Sequence, residues 1–267
     1  MDRKEKKLPI QYSCYFARSR EGEQFVPEHA IAYVVSGSTV LSDGMLVKTF
    51  REGDLYFARR NHLMKYTKHP PQGGEYRSIT IFFEQEFLRN FSLEYGYKPD
   101  KQVITSAFEQ LPSGSALSNY MDSLRAYEQL FLDKGGEDLL AVKRKEAILV
   151  LLNFMPALKN ILFDFSEPGK IDLEAFMLQN YHFNVDLKRF AYLTGRSLST
   201  FKRDFETIFH ATPSRWLLQR RLQEAYYLIK EKKKTASDVY LDLGFEDLSH
   251  FSFVFKKQFG VAPSLVG

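Results

Sequence analysis

The sequence contains few of the residues on which disulfides, metal centres and membrane anchors depend. Cys14 is the only cysteine among 267 residues, which excludes an intramolecular disulfide and a cysteine-based zinc site. No Gly-rich phosphate loop is present. The longest apolar run, AILVLLNFM at residues 147–155, is too short to span a bilayer. The start, MDRKEKKLPIQYSC, is charged and lacks the apolar stretch of a signal peptide. We therefore expect a cytoplasmic protein with no membrane partner.

The composition is that of an ordinary folded protein: 44% of the residues are apolar and 26% are charged. The chain is long enough for two domains with separate cores. The clearest boundary is FSEPGKID at residues 165–172, where a Pro-Gly pair interrupts two stretches of helical character. We predict one domain at 1–165 and a second at 166–267.

The first domain begins with short strands, to about residue 110. HAIAYVVS is a β-branched and aromatic run, Asp43-Gly44 predicts a hairpin between STVLS and MLVKTF, and LYFARR and SITIFF are further strands. Their spacing favours a small sandwich or barrel. We expect its core to be filled by its own side chains. The aromatic residues that should line it are Tyr33, Phe50, Tyr56, Phe57, Phe82 and Phe83.

Helices broken by Gly135-Gly136 are predicted at about residues 116–163. In the second of them, apolar residues of the 147–155 run occupy nearly the whole circumference, which indicates burial on two sides. Two explanations remain open for the second side. Either this segment supplies a homodimer interface, or both faces are covered within one chain.

The second domain contains a repeat. Phe201, Phe205, Phe209, Pro213 and Ser214 recur fifty residues later as Phe251, Phe255, Phe259, Pro263 and Ser264, which suggests two copies of one supersecondary unit. In the first copy an apolar stripe is followed by Gly195, which suits a tight turn, and by a new helix whose buried stripe should contain Leu198, Phe201, Phe205 and Ile208. Each copy is therefore a helix-turn-helix, with second helices at about 197–208 and 247–258.

The two second helices carry polar faces, and a helix at residues 213–232 joins the copies. The joining helix opens with a proline and has an apolar stripe of Leu218, Leu222, Ala225 and Ile229. Its twenty residues span roughly 30 Å, close to the ~34 Å between successive major grooves on one face of the duplex. The first polar face consists of Glu206 and three residues, Ser199, Lys202 and Arg203, that can donate hydrogen bonds to base edges or phosphates. The candidate DNA-contacting residues are Arg196, Ser199, Thr200, Lys202, Arg203, Ser249, His250, Ser252, Phe253, Lys256 and Lys257.

The order FAYLTGRSLSTFKRDF, PSRWLLQRRLQEAYYLI and DLGFEDLSHFSFVFKKQFGVAPS, within residues 186–264, resembles the AraC/XylS family of bacterial transcription regulators. The resemblance implies an α+β protein with a cupin-like β-barrel, a helical dimerisation segment and an all-α domain of two helix-turn-helix units joined by a long helix. It implies promoter double-stranded DNA and RNA polymerase as partners, no cofactor, and activation, although the residues themselves do not separate activation from repression.

The chain departs from the family pattern at three positions. Tyr240 stands where the family usually has a small residue, Phe253 where arginine is common, and Glu206 where lysine is common. The first hundred residues, through AYVVSGSTVL and REGDLYFARRNHLMKYT, are similar to the sensor domains of this family, most of all to those of the type III secretion activators. This similarity implies control by a protein antagonist rather than a sugar; a regulatory protein or a small ligand at this domain both remain open.

Two other functions compete with this interpretation. A metal-dependent cupin enzyme needs a His-x-His pair with a carboxylate and a further histidine, but the six histidines never occur two apart, although His29 and His62 are candidates for neighbours in space. A protein-interaction module does not account for the charge. Residues 187–234 carry twelve Lys or Arg against four Asp or Glu, whereas the whole chain has a net charge of only +4. This concentration favours nucleic acid.

Overall fold

The computed structural model describes residues 8–19, 24–103, 106–114, 116–132 and 136–266. The chain forms two compact units. The first unit comprises the N-terminal strand and residues Val26–Ser166. The second comprises Glu167–Gly267 together with the residues around Phe25.

The strands of the first unit form two principal sheets. The larger has five antiparallel strands in the order β1-β9-β3-β6-β10, and the smaller has three in the order β5-β4-β8. The strands predicted as HAIAYVVS and STVLS have those bounds, while β1, β2, β7, β8 and β10 were not predicted as strands. The strands are β1 (Ile10–Tyr15), β2 (Phe25–Val26), β3 (His29–Ser36), β4 (Ser38–Ser42), β5 (Val47–Arg51), β6 (Leu55–Ala58), β7 (His62–Leu63), β8 (Lys65–His69), β9 (Tyr76–Phe83) and β10 (Phe108–Leu111).

The five-stranded sheet is buried on both faces, which corrects the prediction that the six aromatic residues line one barrel interior. Tyr33, Phe57 and Phe83 lie in the core that the sheet shares with helices of this unit. Phe50 and Tyr56 lie in a second core, on the side of the three-stranded sheet, with Phe82 against it. Successive side chains of a strand point to opposite faces, so neighbours such as Tyr56 and Phe57 must separate.

The helices of this unit cover one face of the larger sheet. A helix at Gln85–Tyr95 lies in a stretch that the sequence analysis assigned to strands and turns. The predicted break lies at Gly136, which precedes the long helix α4, while Gly135 is outside the described residues. The helices are α1 (Gln85–Tyr95), α2 (Ala116–Ser123), α3 (Glu128–Leu132), α4 (Glu137–Phe154) and α5 (Lys159–Leu162), with 3-10 turns at Leu124–Tyr127 and Pro156–Leu158.

Helix α4 is buried along one broad side and apolar on part of the other. Ala147, Ile148, Leu151 and Leu152 are buried in the core that α4 shares with the sheet. Val142 and Leu149, by contrast, are 58% and 37% exposed. The first unit therefore covers one of the two predicted apolar sides and leaves the second partly open.

From residue 167 to residue 266 the regular elements of the second unit are all helices, which confirms an α+β class with an N-terminal sheet unit and a C-terminal helical unit. Both predicted second helices, α8 and α11, are displaced by one residue from their predicted bounds. Across the described ranges, no helix is long and apolar enough to cross a membrane. The helices are α6 (Leu173–Asn180), α7 (Leu187–Leu193), α8 (Leu198–Phe209), α9 (Pro213–Lys230), α10 (Ala236–Val239) and α11 (Leu248–Phe259), with a 3-10 turn at Pro263–Leu265.

Two predicted stripes need correction. In α9 the buried residues include Leu217, Leu222, Ala225 and Ile229, while Leu218 is 37% exposed. In α8 only Phe201 and Phe205 are buried, whereas Ile208 is 38% exposed and Leu198 is half-buried. The large phenylalanine rings fill the space beneath α8, so the aliphatic residues beside them stay at the edge of the core.

Candidate nucleic-acid interface

The second helices of the two repeats begin in the same way. Before each stands a glycine in the left-handed region, Gly195 at φ 64° and Gly244 at φ 82°, a conformation that a side chain disfavours. A capping residue then accepts a hydrogen bond from the first turn: the side chain of Ser197 from the Thr200 amide, and that of Asp247 from the His250 amide. Such caps fix the residue at which each helix starts.

The repeated phenylalanines hold both helices against α9. Ring centroids of Phe201 and Phe205 are 5.6 Å apart, and those of Phe251 and Phe255 are also 5.6 Å apart. The third ring of each series packs on an aromatic residue of α9. Phe209 lies 4.6 Å from Trp216, and Phe259 lies 4.8 Å from Tyr226. The repeat in the sequence is thus a repeat of packing at two places along one helix.

The polar face predicted for α8 is exposed to solvent. Ser199, Lys202, Arg203 and Glu206 are all exposed, and the side chain of Arg203 reaches 77% exposure, with Asp204 3.5 Å away. Thr200 is half-buried, and its hydroxyl accepts a hydrogen bond of 2.9 Å from the Ser197 hydroxyl. Three of the first-repeat candidates, Ser199, Lys202 and Arg203, are therefore accessible to a ligand, although the Ser199 hydroxyl lies 3.0 Å from that of Ser197.

Arg196 occupies a different place from the other candidates. Its side chain is only 7% exposed, and its Nε lies 3.1 Å from the Asp204 carboxylate. Its Nη1 donates to the carbonyls of Ile171 and Thr194 at 3.0 and 2.7 Å. The hydrogen bond from Arg196 holds the pKa of Asp204 below its usual value. The guanidinium of Arg196 thus ties residue 171, which the sequence analysis placed at the domain boundary, to the first hairpin.

The exposed face of α11 is more apolar. Ser249, His250, Lys256 and Lys257 are exposed, and Ser252 is half-buried. Phe253 is 67% exposed, an unusual state for a phenylalanine in the middle of a helix. All second-repeat candidates except Ser252 therefore lie fully at the surface.

Sequence reasoning missed Arg221, a half-buried arginine of α9. Its guanidinium donates to three backbone carbonyls, those of Tyr181, Phe183 and Gly244. The signal was present: Arg221 lies four residues from both Leu217 and Ala225, on the buried stripe of α9. A charged residue on such a stripe indicates a buried hydrogen-bonding role. The guanidinium groups of Arg196 and Arg221 are therefore occupied by internal acceptors, although both residues were counted in the basic charge of residues 187–234.

The two histidines considered for a cupin-type metal site, His29 and His62, form contacts with backbone atoms. His29 is buried, and its Nδ1 accepts from the Arg60 amide at 3.2 Å. Burial lowers the pKa of His29 to about 3. His62 Nδ1 lies 2.8 Å from the Arg60 carbonyl oxygen. In the part of the chain that the structure describes, no group of three or more His, Cys, Asp or Glu residues could hold a metal ion.

Two family models match the chain. A helix-turn-helix domain model matches residues 190–266, and the model of the ExsA N-terminal regulatory domain matches residues 29–160. The transcriptional regulator ExsA of Pseudomonas aeruginosa is 24% identical over 89% of this chain and 85% of its own length. The chain belongs to the AraC family of transcription regulators. As an AraC-family regulator, it is a DNA-binding protein and not an enzyme, which confirms the interpretation of the repeat.

Further matches fall on the helix-turn-helix region or on the fold as a whole. The virulence regulon transcriptional activator VirF of Yersinia enterocolitica is 34% identical over 34% of each chain. A crystal structure of an apo ToxT variant from Vibrio cholerae covers 97% of both chains at 13% identity, with a TM-score of 0.47. The match of the first unit to the ExsA regulatory-domain model agrees with the predicted similarity to type III secretion activators.

Proposed function

We propose that the second unit binds promoter DNA by placing α8 and α11 in successive major grooves, and that the chain activates transcription there. One observation carries the proposal: two twelve-residue helices, capped alike and packed alike on α9, each expose the face opposite their phenylalanines. The eighteen residues of α9 span about 27 Å at the usual helical rise, a length suited to neighbouring grooves.

Within α8, Ser199, Lys202 and Arg203 are the contacts that we assign to base edges and phosphates, because they are exposed and can donate hydrogen bonds,. Within α11 we assign Ser249, Phe253, Lys256 and Lys257. Arg196 is left out of this set because its donors are occupied inside the hairpin. A thymine methyl is the apolar group that the Phe253 ring would contact in the major groove.

We assign the first unit to regulation and self-association. A homodimer interface at residues 116–163 is supported by the exposed apolar side chains Val142 and Leu149 on α4. Sedimentation of the intact chain tests it: Leu149→Glu should convert a dimer to a monomer, and a wild-type chain that is monomeric at high micromolar concentration contradicts it. The burial of most of the predicted core aromatics supports a protein regulator over a small ligand.

The proposed function is tested by a genome-wide map of bound sites in the parent bacterium, followed by footprinting. We expect an enriched motif of two boxes upstream of genes whose transcription falls when the regulator is deleted. RNA polymerase is the partner through which activation would act, and the cytoplasm is where such a promoter would be reached. Absence of any enriched motif would instead support the protein-interaction alternative.

A further inference from the structure

A half-buried arginine in the middle of α9 lies where three segments of the second unit meet. Arg221 Nε donates to the Tyr181 carbonyl at 2.7 Å, and Nη2 donates to the Phe183 carbonyl at 2.8 Å. Both acceptors lie between α6 and α7, where the chain enters the first hairpin. The third donor, Nη1, bonds the Gly244 carbonyl at 2.9 Å, in the turn of the second hairpin.

The turn and the loop approach each other closely around this guanidinium. A Cβ atom on Gly244 would lie 2.9 Å from Arg221 Cζ and 2.8 Å from the carbonyl oxygen of His182, so the turn has room for a glycine and for nothing larger. At the edge of the same junction, Asn184 Nδ2 donates to Glu246 Oε1 at 3.1 Å. These contacts all join the entrance of the first hairpin to the turn of the second.

The chemistry of the junction indicates positioning rather than charge pairing. All three acceptors are neutral carbonyls, and burial lowers the pKa of Arg221 to about 10. A guanidinium presents several donors in one rigid plane and so fixes the directions of several acceptors at once, whereas an ammonium is a point charge with freely rotating donors. Lysine could keep the charge at this position but could not reproduce the three-way bridge.

We propose that Arg221 is a positioning residue that fixes α8 and α11 relative to each other, so that the chain reads two DNA boxes at one separation. The inference rests on the proposed function. Each hairpin keeps its own cap and its own phenylalanine series without Arg221, because neither involves the guanidinium. What is lost is the bridge from the carbonyls of Tyr181 and Phe183 to that of Gly244, which leaves the Asn184–Glu246 hydrogen bond as the remaining polar contact described above between this loop and this turn.

The test uses the purified full chain and a footprinted duplex that carries both boxes. Derived duplexes have two base pairs inserted between the boxes, which rotates one box by about 70°, or have the second box replaced. Wild type should lose about tenfold or more in affinity on insertion, since one set of base contacts is lost. Arg221→Met and Arg221→Lys should bind the parent duplex about tenfold more weakly, lose less than about threefold on insertion, and bind the single-box duplex within about twofold of wild type.

Arg215→Met is the matched control, because it removes the same charge from an exposed position near the start of the same helix. It should retain the wild-type response to insertion. If Arg221→Met retains that response too, the proposal is wrong. A loss that is equal on all duplexes, including the single-box one, would also overturn it, because Arg221 would then only support folding.

Hydrogen exchange of the DNA-free chain separates this proposal from the proposed function. The amides at residues 181–184 and 244–246 should exchange faster in both Arg221 variants and not in Arg215→Met. Unchanged exchange overturns the link. If wild type binds no duplex selectively while the exchange result holds, the link stands and the proposed function fails.

Discussion

The two hairpins of the second unit share a scaffold and differ in their surfaces. α8 and α11 have the same length and the same 5.6 Å spacing between their first two phenylalanine rings, and both rest on an aromatic residue of α9. Yet α8 exposes Lys202 and Arg203 in its middle, while α11 exposes Phe253 there. Packing fixes where each helix lies, and the exposed positions are left to determine what each helix contacts.

The net charge of the two hairpin regions also differs, and the region of the first hairpin is the more basic. Residues 187–234 carry twelve basic residues against four acidic ones, while residues 235–267 carry two against four. Arg196 and Arg221 are used internally, so the basic surface of the first hairpin is smaller than the count suggests. It still exceeds that of the second, and counterion release from DNA should follow this asymmetry.

The largest expected effect tests whether the scaffolds are equivalent. Phe205 and Phe255 are both fully buried, so Phe205→Ala and Phe255→Ala should each lower the free energy of unfolding by about 3–5 kcal/mol. Urea unfolding followed by Trp216 fluorescence reports on the first hairpin, because this ring lies 5.6 Å from Phe205. Ile208→Ala, at a partly exposed position, is the control. If Phe255→Ala leaves the Trp216 transition unmoved, the hairpins unfold separately.

The next effect concerns DNA affinity. Lys202→Ala and Arg203→Ala should each weaken binding to the cognate duplex by about 1–3 kcal/mol and relax specificity at one base pair, if the side chain reads a base. Lys256→Ala and Lys257→Ala, at the end of α11, should act on phosphates alone and reduce the salt dependence by about one counterion each. Titrations at two salt concentrations distinguish these cases. Equal losses with equal salt dependence would contradict the asymmetry.

The hairpins could be predicted from the sequence because their information is local. The glycine, the cap and the phenylalanine spacing all lie within one repeat, and the predicted bounds of α8 and α11 are correct to one residue. Leu217 and Leu218 show the limit: both are apolar neighbours, and which of them is buried depends on how the hairpin sits on α9. The buried stripe of α9 indicates that Arg221 has an internal role, but the acceptors of Arg196 and Arg221 include carbonyls 25 and 40 residues away, which no local pattern identifies.

The first unit shows the same limit more strongly. The β-branched and aromatic runs HAIAYVVS and SITIFF locate β3 and most of β9. They do not show that both faces of the sheet are covered, so Tyr56 and Phe57 were assigned to one interior. Helix α1 begins two residues after β9, and only Glu84, Gln85 and Glu86 separate the run SITIFF from the next apolar residues, Phe87 and Leu88. Leu88 and Phe91 of α1 are buried in the core that the helices share with the sheet. This packing determines where the strand ends and the helix begins.

The N-caps of α8 and α11 allow a matched comparison in which a smaller change in stability is expected. Ser197→Ala and Asp247→Ala should each cost about 1 kcal/mol of stability, because an amide in the first turn loses its acceptor. Asp247→Ala should cost slightly more at low salt, since a carboxylate also interacts with the positive end of the helix dipole. Urea unfolding with and without 0.5 M NaCl measures the difference, and Asp247→Asn, which keeps the cap without the charge, is the control. A salt-dependent loss in Ser197→Ala would contradict this explanation.

The smallest expected effect is that of Phe253, where the two hairpins differ most. A phenylalanine cannot donate to a base edge or a phosphate, so Phe253→Ala should change DNA affinity by less than about 1 kcal/mol, reduce discrimination at one A·T pair, and leave the salt dependence unchanged. Phe253→Arg supplies the donor that is common in the family at this position and should raise the salt dependence by about one counterion. Titrating duplexes with A·T or G·C at each position of the second box measures both effects. If Phe253→Ala instead lowers transcription while DNA binding stays the same at every position, the exposed ring contacts a protein partner such as RNA polymerase, and α11 uses its face for recruitment rather than for reading a base.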